Sequence, residues 1–260
     1  MSALFRPAAV AAALLAALAC PLPALADGII EEPLPRFEDR ICPGVLGMER
    51  DHAELMVSHL RDNVEMFGLR LAGSEEEGCE PNLVITFVED GRGYLTELMQ
   101  RRGYLFSDMD RADREELVAG DAPWRVWHQV TAHTLDGLRV GSHQNLTQPP
   151  EAGMWQAHSR IYRPVRHDIT YALVLFDSDA VAGMTVRQLA DFATMQALAT
   201  EFPDGAEQSA GSMLQLFTRP DAAPASLGPV DAQWLATLYG GIPNLPASMR
   251  LRSVEVATAD

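Results

Sequence analysis

Five of the seven histidines, His128, His133, His143, His158 and His167, fall in one stretch in the middle of the chain. Neutral imidazole is the commonest metal ligand, and three protein ligands leave a bound zinc ion a position at which water is activated. His128 and His133 are five residues apart, so on one straight strand they point to opposite faces and cannot share an ion. His128, His143 and His158, drawn from neighbouring strands, could do so. No short-spaced pair supports that set, and hydrogen-bonded or exposed histidines are the expectation. Asp177 and Asp179 follow the most apolar segment of the chain, where active-site acids often stand; the plainer reading is a solvated turn, with Asp179 near a helix amino terminus. Ser74, Ser142 and Ser212 each follow a glycine, yet none has the G-x-S-x-G setting of a nucleophile elbow. Gly91-Arg92-Gly93 lies between a strand and a helix, where backbone N–H groups can face an anion, but it matches neither G-x-G-x-x-G nor a Walker sequence, and a turn is expected. The chain has no lysine, which excludes Schiff-base chemistry and a P-loop. No catalytic residue, metal or cofactor is assigned.

The elements that must position these groups centre on residues 168–199. Ile169, Tyr171, Ala172, Leu173, Val174, Leu175 and Phe176 form a near-continuous apolar run, the pattern of a strand buried on both faces. Thr185 can then cap a helix whose apolar positions cover most of its circumference, with Arg187, Asp191 and Thr194 as a polar stripe. Such a helix belongs inside a domain, and it carries no His, Cys or Glu. Upstream, residues 49–67 are amphipathic and stop at Gly68, residues 82–88 form a second apolar strand, and residues 94–101 a short helix. Ser107 or Asp108 can cap a charged helix. Residues 124–131 alternate as a strand, the Asp136-Gly137 turn leads to residues 138–141, and residues 155–164 are expected as an edge strand stopped by Pro164. Residues 212–217 make a helical turn, Pro229–Tyr239 a helix, and residues 241–260 a Gly- and Pro-rich tail. These add up to one α+β (or α/β) domain over residues 27–240, a mixed sheet packed against a buried central helix.

Residues 1–26 have the layout of a secretory signal peptide: one charge at Arg6, an uncharged apolar run from Ala8 to Ala19, and Ala24-Leu25-Ala26 before Asp27. The run is too short to span a bilayer. Cleavage after Ala26 is expected, with lipidation of Cys20 the runner-up. Cleavage removes Arg6 alone of the charged residues, leaving 19 arginines against 36 acids, the opposite of a nucleic-acid footprint. Two cysteines remain, and an even pair in an exported chain reads as one disulfide, Cys42–Cys79, closing a loop of about 38 residues. The periplasm, or secretion, is the expected location.

The order of elements resembles a family of exported bacterial proteins, uncharacterised and grouped with the zincin-like metallopeptidases. The matching segments are N-L-V-I-T-F-V-E-D, A-L-V-L-F-D, M-Q-A-L-A, S-M-L-Q-L-F and S-L-G-P-V-D-A-Q-W-L-A-T-L-Y. Leu227, Asp231, Leu235, Leu238 and Tyr239 keep step with that family's late helix. The family's H-E-x-x-Q-x-L-G motif, laid on Gln196-Ala197-Leu198-Ala199, puts Phe192 at the first ligand and Ala193 at the general base, and neither can do that chemistry. The resemblance therefore implies a zincin-like scaffold without its metal. The functional expectation is a non-catalytic binding or accessory protein, acting on an envelope protein or peptide. The alternatives are a hydrolase assembled from distant groups such as His128, His143, His158 and Asp177, and a lipid-anchored envelope component.

Overall fold

A computed structural model describes residues 32–73, 78–107, 109–140 and 164–257. The predicted signal peptide, Cys20, Ser74, Ser142, His143, His158 and nearly all of the expected edge strand lie outside the described residues. Four strands, β1 (Pro43–Leu46), β2 (Leu83–Val88), β3 (Trp124–Thr134) and β4 (Val165–Asp177), form one sheet in the order β1-β2-β4-β3. The β1, β2 and β4 strands run parallel, and β3 runs antiparallel to β4. The fold is thus α+β with a mixed sheet.

Side-chain alternation on β2 and β4 explains why the sheet is covered on both sides. Leu83, Ile85, Phe87, Ala172, Val174 and Phe176 enter the main core, which also takes residues of α1 (Arg50–Met66), α4 (Val186–Leu198) and α5 (Pro229–Tyr239). Val84, Leu173 and Leu175 face a smaller core with Trp127, Phe106 and Leu95 of α2 (Gly91–Arg101), against which α3 (Arg111–Ala119) also packs. The β4 strand is the axis of both cores, as its unbroken apolar run requires.

The α1 helix ends as its glycine predicts. Gly68 has φ 70° and donates to the Glu65 carbonyl, while Leu69 donates to that of Val64, the paired bonds of a Schellman terminus. Thr185 accepts the N–H of Gln188 and Gln188 reaches back to the Thr185 N–H, a full capping box at the start of α4. Two boundaries differ from the sequence reading. The α2 helix starts at Gly91 rather than residue 94 because Asp90 caps it, and α3 is capped by Asp110 rather than Ser107 or Asp108.

Cys42 and Cys79 form the expected disulfide, Cα atoms 6.0 Å apart. It ties the start of β1 to the segment leading into β2, a constraint worth about 4 kcal/mol through loop-closure entropy. Within the segment expected as a tail, Ala247–Ala257 forms a further helix, α6. Arg250 anchors it by donating to the carbonyls of Thr237 and Gly240 at the end of α5, at 2.7 and 2.8 Å. Burial, with Arg36 nearby, lowers the Arg250 pKa to about 10. Among the described residues no helix is long and apolar enough to cross a membrane.

Candidate functional site

The parallel strands end at one edge of the sheet, where ligands of α/β proteins commonly bind. Asp177 closes β4 there. Its Oδ1 accepts the Gly91 N–H at 2.9 Å, and Arg125 Nη1 lies 3.4 Å from its Oδ2. Arg125 also donates to the Gly120 carbonyl at 3.0 Å. Asp90 Oδ1 accepts the Gly93 N–H at 3.0 Å. The amino terminus of α2 is therefore already supplied with two of the protein's own carboxylates, which satisfy two of its free N–H groups and favour its dipole. A Cβ on residue 91 would sit 2.4 Å from Asp177 Oδ1 and 2.5 Å from Leu175 Cδ2, so Gly91 is required by close approach. Gly91-Arg92-Gly93 is a helix start, and its anion comes from β4.

His128 projects from β3 onto the end of α4, where its Nε2 lies 3.1 Å from the Ala197 carbonyl. A carbonyl only accepts, so Nε2 carries the proton. Burial pushes the imidazole pKa down to about 4, opposed by bonds to the Ala197 and Gln196 carbonyls. Tyr239 of α5 donates to the adjacent Leu198 carbonyl at 2.8 Å and accepts the Phe37 N–H at 3.2 Å. These two side chains satisfy carbonyls that the last turn of α4 leaves open. His128 and Asp177 do not converge. His128 pairs with Ala172, five residues before Asp177 on β4, a separation of about 16 Å along the strand. Among the described residues no group of three or more His, Cys, Asp or Glu could hold a metal ion.

The central helix is packed throughout its second half, every residue from Leu189 to Leu198 being buried. Phe192 meets Trp124 and Phe217 edge-on, with ring centroids 5.2 and 4.9 Å away, and Phe176 at 6.0 Å. The polar stripe opposite is bonded inside the protein. Asp191, fully buried, accepts from Asn63 Nδ2 of α1 at 2.7 Å, the Leu227 N–H at 2.9 Å and Arg187 Nε at 3.2 Å. Asn63 also donates to Thr194 at 2.9 Å. One stripe thus joins α1, α4 and the approach to α5.

No protein-family model, curated protein or solved structure matches this chain.

Two polar groupings escaped the sequence reading. Asp231, 1% exposed, accepts from Ser212 Oγ at 2.7 Å and from the N–H groups of Met213 and Gly228 at 2.8 and 3.0 Å. Ser212 therefore donates to the carboxylate that caps the start of α5. The second grouping lies where β3 and β4 lead away from the helices. Asp168 Oδ2 is 3.0 Å from His133 Nδ1, Arg166 Nε is 3.0 Å from Asp168 Oδ1, and Glu38 links Arg166 to Arg36. Burial raises the Asp168 pKa, against the pull of Arg166. The cause of its invisibility is a β-bulge. Gln129 pairs with Tyr171 but Val130 pairs with Ile169, so Thr170 is an extra residue, and no period-2 count across it predicts that Asp168 and His133 share a face.

Proposed function

We propose that this is an exported, non-catalytic binding or accessory protein of the bacterial envelope, built on a zincin-like scaffold from which the metal chemistry is gone. The observation that carries the reading is the setting of Phe192. Where the resembling family places a metal ligand, this chain has a ring held among Trp124, Phe176 and Phe217 and 1% exposed. The neighbouring chemical groups are committed to bonds within the fold: Asp177 to Gly91 and Arg125, His128 to Ala197, Asp191 to Asn63 and Leu227. The disulfide and the signal-like leader support export to an oxidising compartment.

Elemental analysis of the purified mature protein tests the first part. The expected result is no bound metal after dialysis; stoichiometric zinc that resists dialysis overturns it. Fractionation of expressing cells tests the second, with the protein expected in the periplasmic fraction. Accumulation of precursor under a lipoprotein signal-peptidase inhibitor would instead establish an anchor through Cys20.

One observation favours a second reading, ester or amide hydrolysis. His133 turns Nδ1 toward Asp168, 3.0 Å away, and toward the Thr131 carbonyl, 3.2 Å away. With Nδ1 protonated, Nε2 is left as a base that could take a proton from an attacking water. Turnover of p-nitrophenyl esters by the wild type, lost in both His133→Gln and Asp168→Asn, would establish this reading. Equal rates in all three proteins would dismiss it.

A further inference from the structure

A cavity of about 240 Å³ lies beside the α4–α5 junction. Met195, Leu214 and Trp234 form much of its apolar wall, Phe202 adds a second aromatic ring, and Asp204 and Asp231 are its carboxylates. No arginine or histidine is among the lining residues. We propose that this cavity binds a small organic cation that also carries a hydrogen-bond-accepting oxygen. The proposal rests on the reading of the chain as a binding protein and names the ligand class of one site on it.

Three observations point to this class of ligand. The first is charge. The partners of Asp231 are Ser212, Met213 and Gly228, all uncharged. This carboxylate is 1% exposed, and none of its partners within the fold is a cation. Its field attracts a cation to the cavity and repels an anion. Asp204 is exposed and adds a second negative charge to the lining.

The second is an unused donor. Trp234 is 2% exposed, and its indole Nε1 is buried with no hydrogen-bond partner. Trp234 is one of the residues of the cavity wall, and buried donors are nearly always paired, so its unanswered N–H points to a ligand that supplies an acceptor. A metal ion cannot accept that bond, whereas a hydroxyl, ether or carbonyl oxygen can.

The third is size and wall chemistry. The volume falls just below the roughly 300–1,000 Å³ of drug-sized sites, which suits a molecule of few heavy atoms. Aromatic rings attract quaternary and primary ammonium groups through their quadrupoles, and the polarizable Met195 thioether adapts to irregular shapes. The general negative charge of the chain, −16 at pH 7, adds an attractive long-range field.

Choline serves as the probe because it joins an ammonium head to a hydroxyl, and 3,3-dimethylbutan-1-ol is its uncharged isostere. Calorimetric titration of the mature protein is expected to give saturable, one-site binding of choline. Binding of the isostere should be about tenfold weaker or more, and acetate should not bind. Asp204→Asn, a surface change, should weaken choline while leaving the isostere unaffected. Trp234→Phe should weaken both, provided its circular dichroism matches the wild type; should it fail to fold, the Asp204 variant and the isostere still decide. Absence of saturable choline binding, or equal affinities for choline and the isostere, overturns the proposal. Bound zinc or esterase turnover would overturn the non-catalytic reading without affecting these titrations.

Discussion

His128 Nε2 faces the Ala197 carbonyl across 3.1 Å, so a histidine that could have been a metal ligand instead closes the end of a helix. The pKa of about 4 in the folded protein compares with an ordinary value of 6.5. Between these values the unfolded chain binds the extra proton, so stability rises with pH across that window. It is full above about pH 6.5 and falls by about 1.4 kcal/mol per pH unit as the pH drops toward 4. Urea midpoints measured from pH 7 to pH 4 should show this slope in the wild type, and a large part of it should vanish in His128→Gln. Identical slopes would mean that the imidazole is solvated.

The Phe192 environment makes a grafting experiment informative. Phe192→His with Ala193→Glu introduces a ligand and a base of the types a zinc hydrolase uses, yet both positions lie in the core. The double variant is expected to be strongly destabilised and to elute without zinc, and Phe192→Ala alone should cost about 3–5 kcal/mol. A stable, zinc-loaded double variant would show that the helix can open onto solvent.

Gly91 and Asp177 form a second testable contact, 86 residues apart in sequence. Gly91→Ala forces a methyl group against the carboxylate and Leu175, at an expected cost of about 1–3 kcal/mol in chemical denaturation. Asp177→Asn keeps the shape but loses the charge facing Arg125 and the helix dipole. It should cost less than Gly91→Ala.

Asp191 is the shared acceptor of three elements. Asp191→Ala leaves Asn63 Nδ2, the Leu227 N–H and Arg187 without that partner, and a loss of about 3–5 kcal/mol is expected. Asp191→Asn should recover part of this, because one oxygen remains to accept. If thermal melts of the alanine variant match the wild type, water must fill the gap.

The disulfide should respond to reductant alone. Reduction, or Cys42→Ser with Cys79→Ser, is expected to lower stability by up to about 4 kcal/mol. Denaturant melts with and without dithiothreitol measure it.

Where the signals were local, the sequence revealed the structure closely. The α4 helix begins after Thr185 as its capping residues require, α5 occupies Pro229–Tyr239 as expected, and Leu83–Val88 and the apolar part of β4 were evident from composition alone. The β1 strand was not, because four residues containing a proline and a glycine carry no usable period. Nor was the partner of the polar stripe: Arg187, Asp191 and Thr194 announced themselves by spacing, but only the packing of α1 on α4 shows that Asn63 answers them. The candidate site suffered most. His128 and Asp177 were noticed as reactive types, whereas their actual bonds join positions 69 and 86 residues apart, which no pattern along one chain encodes.

Thr170 has no opposite number on β3, and that surplus sets which half of β4 is greasy toward the helices. Were it paired like its neighbours, strict alternation would set Asp168 and the Arg166 guanidinium inward and turn Ile169 outward. A single-codon deletion at this spot would thus iron out a kink and leave each side chain before it opposite the partner it already has, whereas a one-residue deletion elsewhere in the strand would slip the zip by a tooth.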